Sequence, residues 1–207
     1  TRLDDNGRPF VGRATHFVSH AWSYPFETLA RGLYEFWDQR DRDAPEPYFW
    51  LDVICINQHA TAELDARFWE TSFRDMIATI GHTVLVLSPW ERPVAATRVW
   101  CLWEIYSTVT TNRPLTITMT PDEEAHFDTA LRSDVERAIS QMTRIDVALA
   151  EATDPADRER IRAAIARSCG FDVLNARVIS AIEGFLLAHL ARLGELGVIA
   201  DLLREAG

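Results

Sequence analysis

The stretch Val84–Tyr106, VLVLSPWERPVAATRVWCLWEIY, constrains the fold of this chain more than any other. An apolar run from Val84 to Leu87 ends in Ser88-Pro89-Trp90, a loop follows, and a second segment then carries Trp100, Cys101 and Glu104. A short unbroken apolar run bounded by turn residues reads as a strand buried on both faces, as in a parallel sheet. The segment after the loop reads as a helix. Strand, loop and returning helix put one carboxylate at the carboxyl edge of the sheet, where open α/β folds hold their ligands. Glu104 is the only acid between Val99 and Val109. Such a carboxylate is either solvated on an outer face or held for chemistry.

Strand and helix alternate throughout the first half. His16 to Ser19 reads as strand one, and Phe26, Leu29, Leu33, Phe36 and Trp37 repeat at helical spacing behind Pro25. After the charged, proline-rich DQRDRDAPEP, Tyr48 to Ile56 reads as strand two, interrupted by Asp52, with a polar loop from Asn57 to Asp65. Phe68, Trp69, Phe73, Met76, Ile77 and Ile80 mark helix two, stopped by Gly81. Val84 to Leu87 is strand three, Thr97 to Thr111 helix three with Thr97 as N-cap, and Leu115 to Met119 strand four. This order implies right-handed crossovers and a parallel sheet with helices on both faces.

From Pro121 onward the patterns are helical only. Phe127, Leu131, Val135 and Ile139 share a face, as do Ile161 and Ile165, and later Val178, Ile182, Phe185, Leu186 and Leu190. Asp154 or Thr153 caps a helix that starts at Pro155, and Gly170 breaks the chain before the last long helical region. The expected organisation is a sheet domain over 14–120 and a helical extension over 121–207, packed on or beside it.

Composition removes several function classes. A net charge of -10 with no basic stripe disfavours nucleic-acid binding. No unbroken apolar run approaches the ~20 residues a membrane span needs, and TRLDDNGRPFVGRATHF lacks a signal-peptide core, so a cytoplasmic location is expected. Cys55, Cys101 and Cys169 are few, odd in number and far apart, which favours buried thiols in a reducing compartment over disulfides or zinc. His16 and His20 make no metal pair without a third ligand. The chain has neither G-x-G-x-x-G nor a Walker A pattern, which argues against a dehydrogenase or NTPase.

Three segments carry a family resemblance. FVSHAW followed by PFETLARGLYEFW resembles the first strand and helix of TIR domains. VLVLSPW followed by TRVWCLWEIY resembles the most distinctive TIR segment, in which a strand ending in serine leads to a Trp-Cys-Leu-x-Glu helix. YFWLDVICINQH is similar to the Trp-Leu-Asp-x-x-Cys-Ile-Asn-Gln motif of fungal heterokaryon-incompatibility domains, which are TIR-like. The resemblance covers about residues 14–120 and implies a flavodoxin-like parallel sheet of TIR type, here with an all-helical C-terminal extension. The sequence departs from the family twice. The loop Asn57-Gln58-His59-Ala60 has no glycine, and His20-Ala21-Trp22 replaces the usual phenylalanine-arginine pair, so the family's base-stacking arrangement does not carry over.

The resemblance implies cleavage of the nicotinamide-ribose bond of NAD in immune or cell-death signalling, with NAD as substrate rather than cofactor and no metal. The alternatives are a non-catalytic scaffold acting by homotypic association and a nucleotide-sensing module. Glu104 matches the family's catalytic glutamate. The chemistry is consistent with a single acid: nicotinamide departs as a neutral molecule, so no general acid is needed, unlike ordinary glycoside hydrolysis. One carboxylate beside the sugar stabilises the developing positive charge. Ser19, His20 and Ser88 end strands one and three, Trp22 and Trp90 follow those ends, Phe26 heads helix one, and Trp100 lies one turn before Glu104. These are the expected substrate-binding residues, although strand-end capping and core packing explain them equally well. Asp52 is read as a structural hydrogen-bonding residue. The resemblance also implies self-association, for which the Val178–Leu190 stripe is one candidate surface and packing onto the sheet domain the other reading. A sensor domain or activator protein would complete the partners.

Overall fold

The computed structural model describes residues 2–5, 7–57, 71 and 73–194. Four parallel strands form one sheet in the order β2-β1-β3-β4. They are β1 (His16–Ser19), β2 (Phe49–Trp50), β3 (Thr83–Val86) and β4 (Leu115–Thr118). Between and after them run α1 (Phe26–Gln39), α2 (Asp52–Cys55), α3 (Phe73–Ile80), α4 (Val99–Thr110), α5 (Pro121–Ser133), α6 (Val135–Met142), α7 (Pro155–Ser168) and α8 (Phe171–Arg192). The expected flavodoxin-like α/β architecture with a helical C-terminal half is what the chain forms.

The sheet is covered on both faces. Val18, Val84 and Val86 meet Leu29 and Leu33 of α1 on one side. Phe17, Leu85 and Ile117 meet α3, α4 and α8 on the other, in a core continuous with the helical half. β3 is buried at every position, as its unbroken apolar run requires. Gly32 lets α1 settle onto the sheet: a Cβ there would lie 2.9 Å from Val86 Cγ1, and its carbonyl accepts from Thr118 Oγ1 at 2.9 Å. Gly81 ends α3 with φ +95°, a backbone state other residues rarely take.

Helix α4 organises the rest. Every residue from Cys101 to Thr108 is buried. A helix apolar all round has to be enclosed on all sides. The sheet covers one side, and α3, α7 and α8 cover the others. Its start is fastened by Val99 N–H donating to Glu151 C=O at 3.0 Å, while Glu151 N–H donates to Thr97 C=O at 2.8 Å. That exchange takes the place of the expected Thr97 cap. Thr97 instead ends a short 3-10 turn and returns its hydroxyl to Val94 C=O.

Strand two is much shorter than its apolar run. It pairs only at Phe49 and Trp50, and Asp52 then opens the single turn α2, its Oδ1 accepting from Val53 N–H at 2.7 Å. A carboxylate that captures its neighbour's amide favours a turn over a ladder. Cys55 is consequently exposed, contrary to the expectation for all three thiols, whereas Cys101 is buried. Phe68, Trp69 and the loop around Gln58 lie outside the described residues.

The Val178–Leu190 stripe turns inward. Val178, Ile182, Leu186 and Leu190 are at most 1% exposed, which removes them as a self-association surface. By length and composition α8 could cross a bilayer, yet here its apolar positions fill the core. Arg177, Glu183 and other polar residues interrupt its sequence, so a search for unbroken apolar runs does not single it out. Asp154 caps α7 through Ala156 N–H at 2.8 Å, as expected.

At the amino end of the sheet His16 and His82 pack at a tilt with ring centroids 4.6 Å apart, against Phe36. Burial, then the neighbouring His82, lowers the His16 pKa from 6.5 to about 4. His82 is lowered by burial as well. The unfolded chain therefore binds more protons than the native one below pH 6.5. The stability tied to neutral His16 is complete above that pH and drains away toward pH 4. The melting temperature should fall across that interval, and His16→Gln should flatten part of the fall; a parallel curve for the variant would show that His16 does not contribute.

Candidate functional site

The carboxyl ends of β1 and β3 face the middle of α4, and this juxtaposition builds the site. Ser19, the last residue of β1, is fully buried and donates its hydroxyl to Glu104 Oε2 at 2.5 Å. The two are 85 residues apart in sequence. One turn earlier on α4, the Cys101 thiol donates to His20 C=O at 3.4 Å. Glu104 thus sits on the α4 face that abuts the end of β1.

Asp52 closes the arrangement from β2. Its Oδ2 accepts from Trp22 Nε1 at 2.5 Å, tying the loop after β1 to α2. His20 Nε2 lies 3.9 Å from Asp52 Oδ1. Burial lowers the His20 pKa and Asp52 only partly opposes it, so His20 is neutral at pH 7 and this contact is no ion pair. Around the Trp22–Asp52 bond the surface is apolar: Trp22, Phe26, Val53 and Ile54 are 54%, 71%, 42% and 69% exposed. A second tie crosses from the same loop to β3, where Ser88 N–H donates to the Tyr24 hydroxyl at 3.0 Å.

The electrostatics follow from enclosure. Glu104 is 8% exposed, and burial pushes its pKa well above the ordinary carboxylate range. The Ser19 hydroxyl opposes that shift and the negative charge of Asp52 adds to it. Among the described residues no cation offsets that shift, so burial favours the neutral form of the carboxyl. Burial, followed by Glu104, also drives the Cys101 thiol far from thiolate formation, so Cys101 is inert as a nucleophile. Among the described residues no cluster of histidine, cysteine and acids has the makings of a metal site.

Of the residues singled out by sequence, Ser19, His20, Trp22 and Glu104 come together, with Phe26 at the exposed mouth and Ser88 at the neighbouring strand end. The expected positions of Trp90 and Trp100 need correction. Trp90 is 5% exposed and packs on Phe127 at 5.3 Å, its backbone drawn toward α5 by Glu123 Oε2 at 2.8 Å. Trp100 meets Phe73 of α3 edge-on at 5.9 Å, and its side chain hydrogen-bonds Asp157 of α7. Residues four apart on a helix differ by about 40° in direction, which is enough for α3 and α7 to claim the ring while Glu104 faces β1. Asp52 and Tyr24 are the participants that sequence reasoning underused. Asp52 was legible as a lone charge in an apolar run, but Tyr24 carried no signal.

A cavity of ≈ 540 Å³ lies elsewhere, along β4 and α8. No family model matches the chain, and no curated protein or solved structure matches it either.

The neutral state of Glu104 is directly measurable. At pH 7 the infrared spectrum should contain the carbonyl stretch of a buried protonated carboxyl, absent in Glu104→Gln. A wild-type spectrum without that band would mean that Glu104 is ionised.

Proposed function

We propose that the protein is a TIR-like enzyme that cleaves the nicotinamide-ribose bond of NAD, with Glu104 as its catalytic residue. The observation that carries this reading is the buried Ser19–Glu104 pair, a lone acid on a buried helix held at the carboxyl edge of a parallel sheet. The motif resemblance of residues 14–120 supplies the reaction. The apolar surface of Trp22, Phe26, Val53 and Ile54 offers faces for flat rings at the exposed mouth.

NAD itself brings the charge that Glu104 lacks. The nicotinamide ring is a cation, and a cation beside a buried carboxyl favours its ionised form, so the Glu104 proton passes to solvent as NAD enters. The ionised oxygen then faces the ribose while the bond from C1′ to the ring nitrogen breaks. The bonding electron pair leaves with nicotinamide, which departs neutral, and positive charge spreads over the sugar ring. The carboxylate stabilises that charge. Water adds at C1′ and gives its proton to solvent. Ser19 holds the carboxyl in place throughout.

Glu104→Gln tests this cleanly. Glutamine matches a neutral carboxylic acid in shape and hydrogen bonding, so the variant should keep its melting temperature. Its NAD cleavage should drop ~100-fold or more, the usual loss for one electrostatic group. Near-wild-type turnover by a folded variant would eliminate Glu104 as the catalytic residue.

The non-catalytic scaffold reading is favoured by the closure of the site, since Glu104 already has a partner and little exposure. The family resemblance implies that a neighbouring copy completes and opens the pocket. Specific activity should therefore rise with protein concentration. Light scattering checks the mass over the same range: constant activity through a monomer-to-oligomer transition contradicts assembly control, and no activity at any concentration or under crowding supports the scaffold.

A further inference from the structure

The proposed reaction leaves one buried group of the site without a role. His20 follows Ser19 at the end of β1, and its side chain is 5% exposed. Its backbone is fastened to the Glu104 helix, because the Cys101 thiol, one turn before Glu104, donates to its C=O at 3.4 Å. Ser19 in turn holds the Glu104 carboxyl. The His20 ring and that carboxyl are thus anchored through adjacent residues at one edge of the sheet.

The ring is oriented on both sides. A neutral imidazole carries a single N–H. The Val18 carbonyl accepts a hydrogen bond from the ring, and Nε2 is the nitrogen turned to Asp52, 3.9 Å from Oδ1. The proton therefore sits on Nδ1, and Nε2 presents a lone pair toward a carboxylate. Asp52 is itself fixed, Oδ1 by the Val53 N–H at 2.7 Å and Oδ2 by Trp22 Nε1 at 2.5 Å. Two acceptors set face to face gain nothing until a proton comes between them. A hydroxyl that gives up its proton to Nε2 supplies it. The imidazolium formed then faces the Asp52 charge, which favours it.

We propose that His20 Nε2 is the general base of this site, so that its ribosyl acceptors are hydroxyl compounds, water or an alcohol. This role rests on the NAD-cleaving reading of the same site. As the bond from C1′ to the ring nitrogen breaks, its electron pair leaves with nicotinamide. The acceptor oxygen bonds to C1′ while its O–H bond breaks, and the proton passes to Nε2 and from there to solvent. Asp52 acts through the ring as a positioning residue. A pyridine acceptor has no proton to lose and needs no base.

The test has two arms. In nitrogen NMR of the labelled protein at pH 7, the His20 ring should carry its proton on Nδ1; a proton on Nε2 overturns the proposal whatever the activity. In the second arm NAD is supplied together with methanol and 3-acetylpyridine. The products counted are ADP-ribose, its methyl glycoside and the exchanged dinucleotide. His20→Gln should lower the ratio of the oxygen-linked products to the exchange product about 100-fold, the usual contribution of a general base. Asp52→Asn should lower the same ratio, and it carries the comparison if His20→Gln does not fold. An unchanged ratio in the folded variants overturns the role of His20 while NAD cleavage stands. Absence of nicotinamide release from the wild-type chain with every acceptor, at all concentrations and under crowding, removes the NAD reading and this proposal with it, even with the proton on Nδ1.

Discussion

Everything in this protein follows from the enclosure of α4. A helix whose residues from Cys101 to Thr108 are all buried cannot lie on the outside of a sheet. The usual two layers would leave its outer side in water, so the chain adds α7 and α8 beyond it, and the core runs without a break from Phe17 of β1 to Leu190 of α8. The helical half is therefore part of what makes the sheet half stable. It also explains why α8 is so apolar.

Enclosure creates the one electrostatic problem of the fold. Glu104 stands on the buried helix, and an ionised carboxylate there would be costly. The fold answers with a neutral acid and a single short hydrogen bond from Ser19. In the proposed reaction the nicotinamide cation would favour the ionised carboxyl that burial alone disfavours. Burial likewise favours the neutral forms of His20 and Cys101 beside it.

The closures around Glu104 are made by loops rather than by the sheet. Trp22 to Asp52 and Tyr24 to Ser88 link the ends of three different strands through hydrogen bonds at the protein surface or near it. Such bonds contribute about 1 kcal/mol each.

The sequence by itself determined the layer plan and the central acid. Period and run length located β1, β3 and β4, Gly81 and Gly170 marked breaks, and Glu104 stood out as one charge in a wholly apolar segment. These signals are local, set by burial and backbone preference within a few residues. Where local and tertiary preferences competed, the pattern misled. The apolar run from Tyr48 to Ile56 contained a carboxylate that turned the chain into α2, and Thr97 lost its capping role to Glu151 from the far half. Only the tertiary structure decided which residues surround the acid. Trp90 and Trp100 are close to Glu104 in sequence, yet α5, α3 and α7 claim them, while Ser19, Trp22 and Asp52 arrive from 85 to 52 residues away by sheet pairing. Side-chain direction on a helix differs by tens of degrees between neighbours one turn apart, and what lies on each side is fixed by packing between elements distant along the chain.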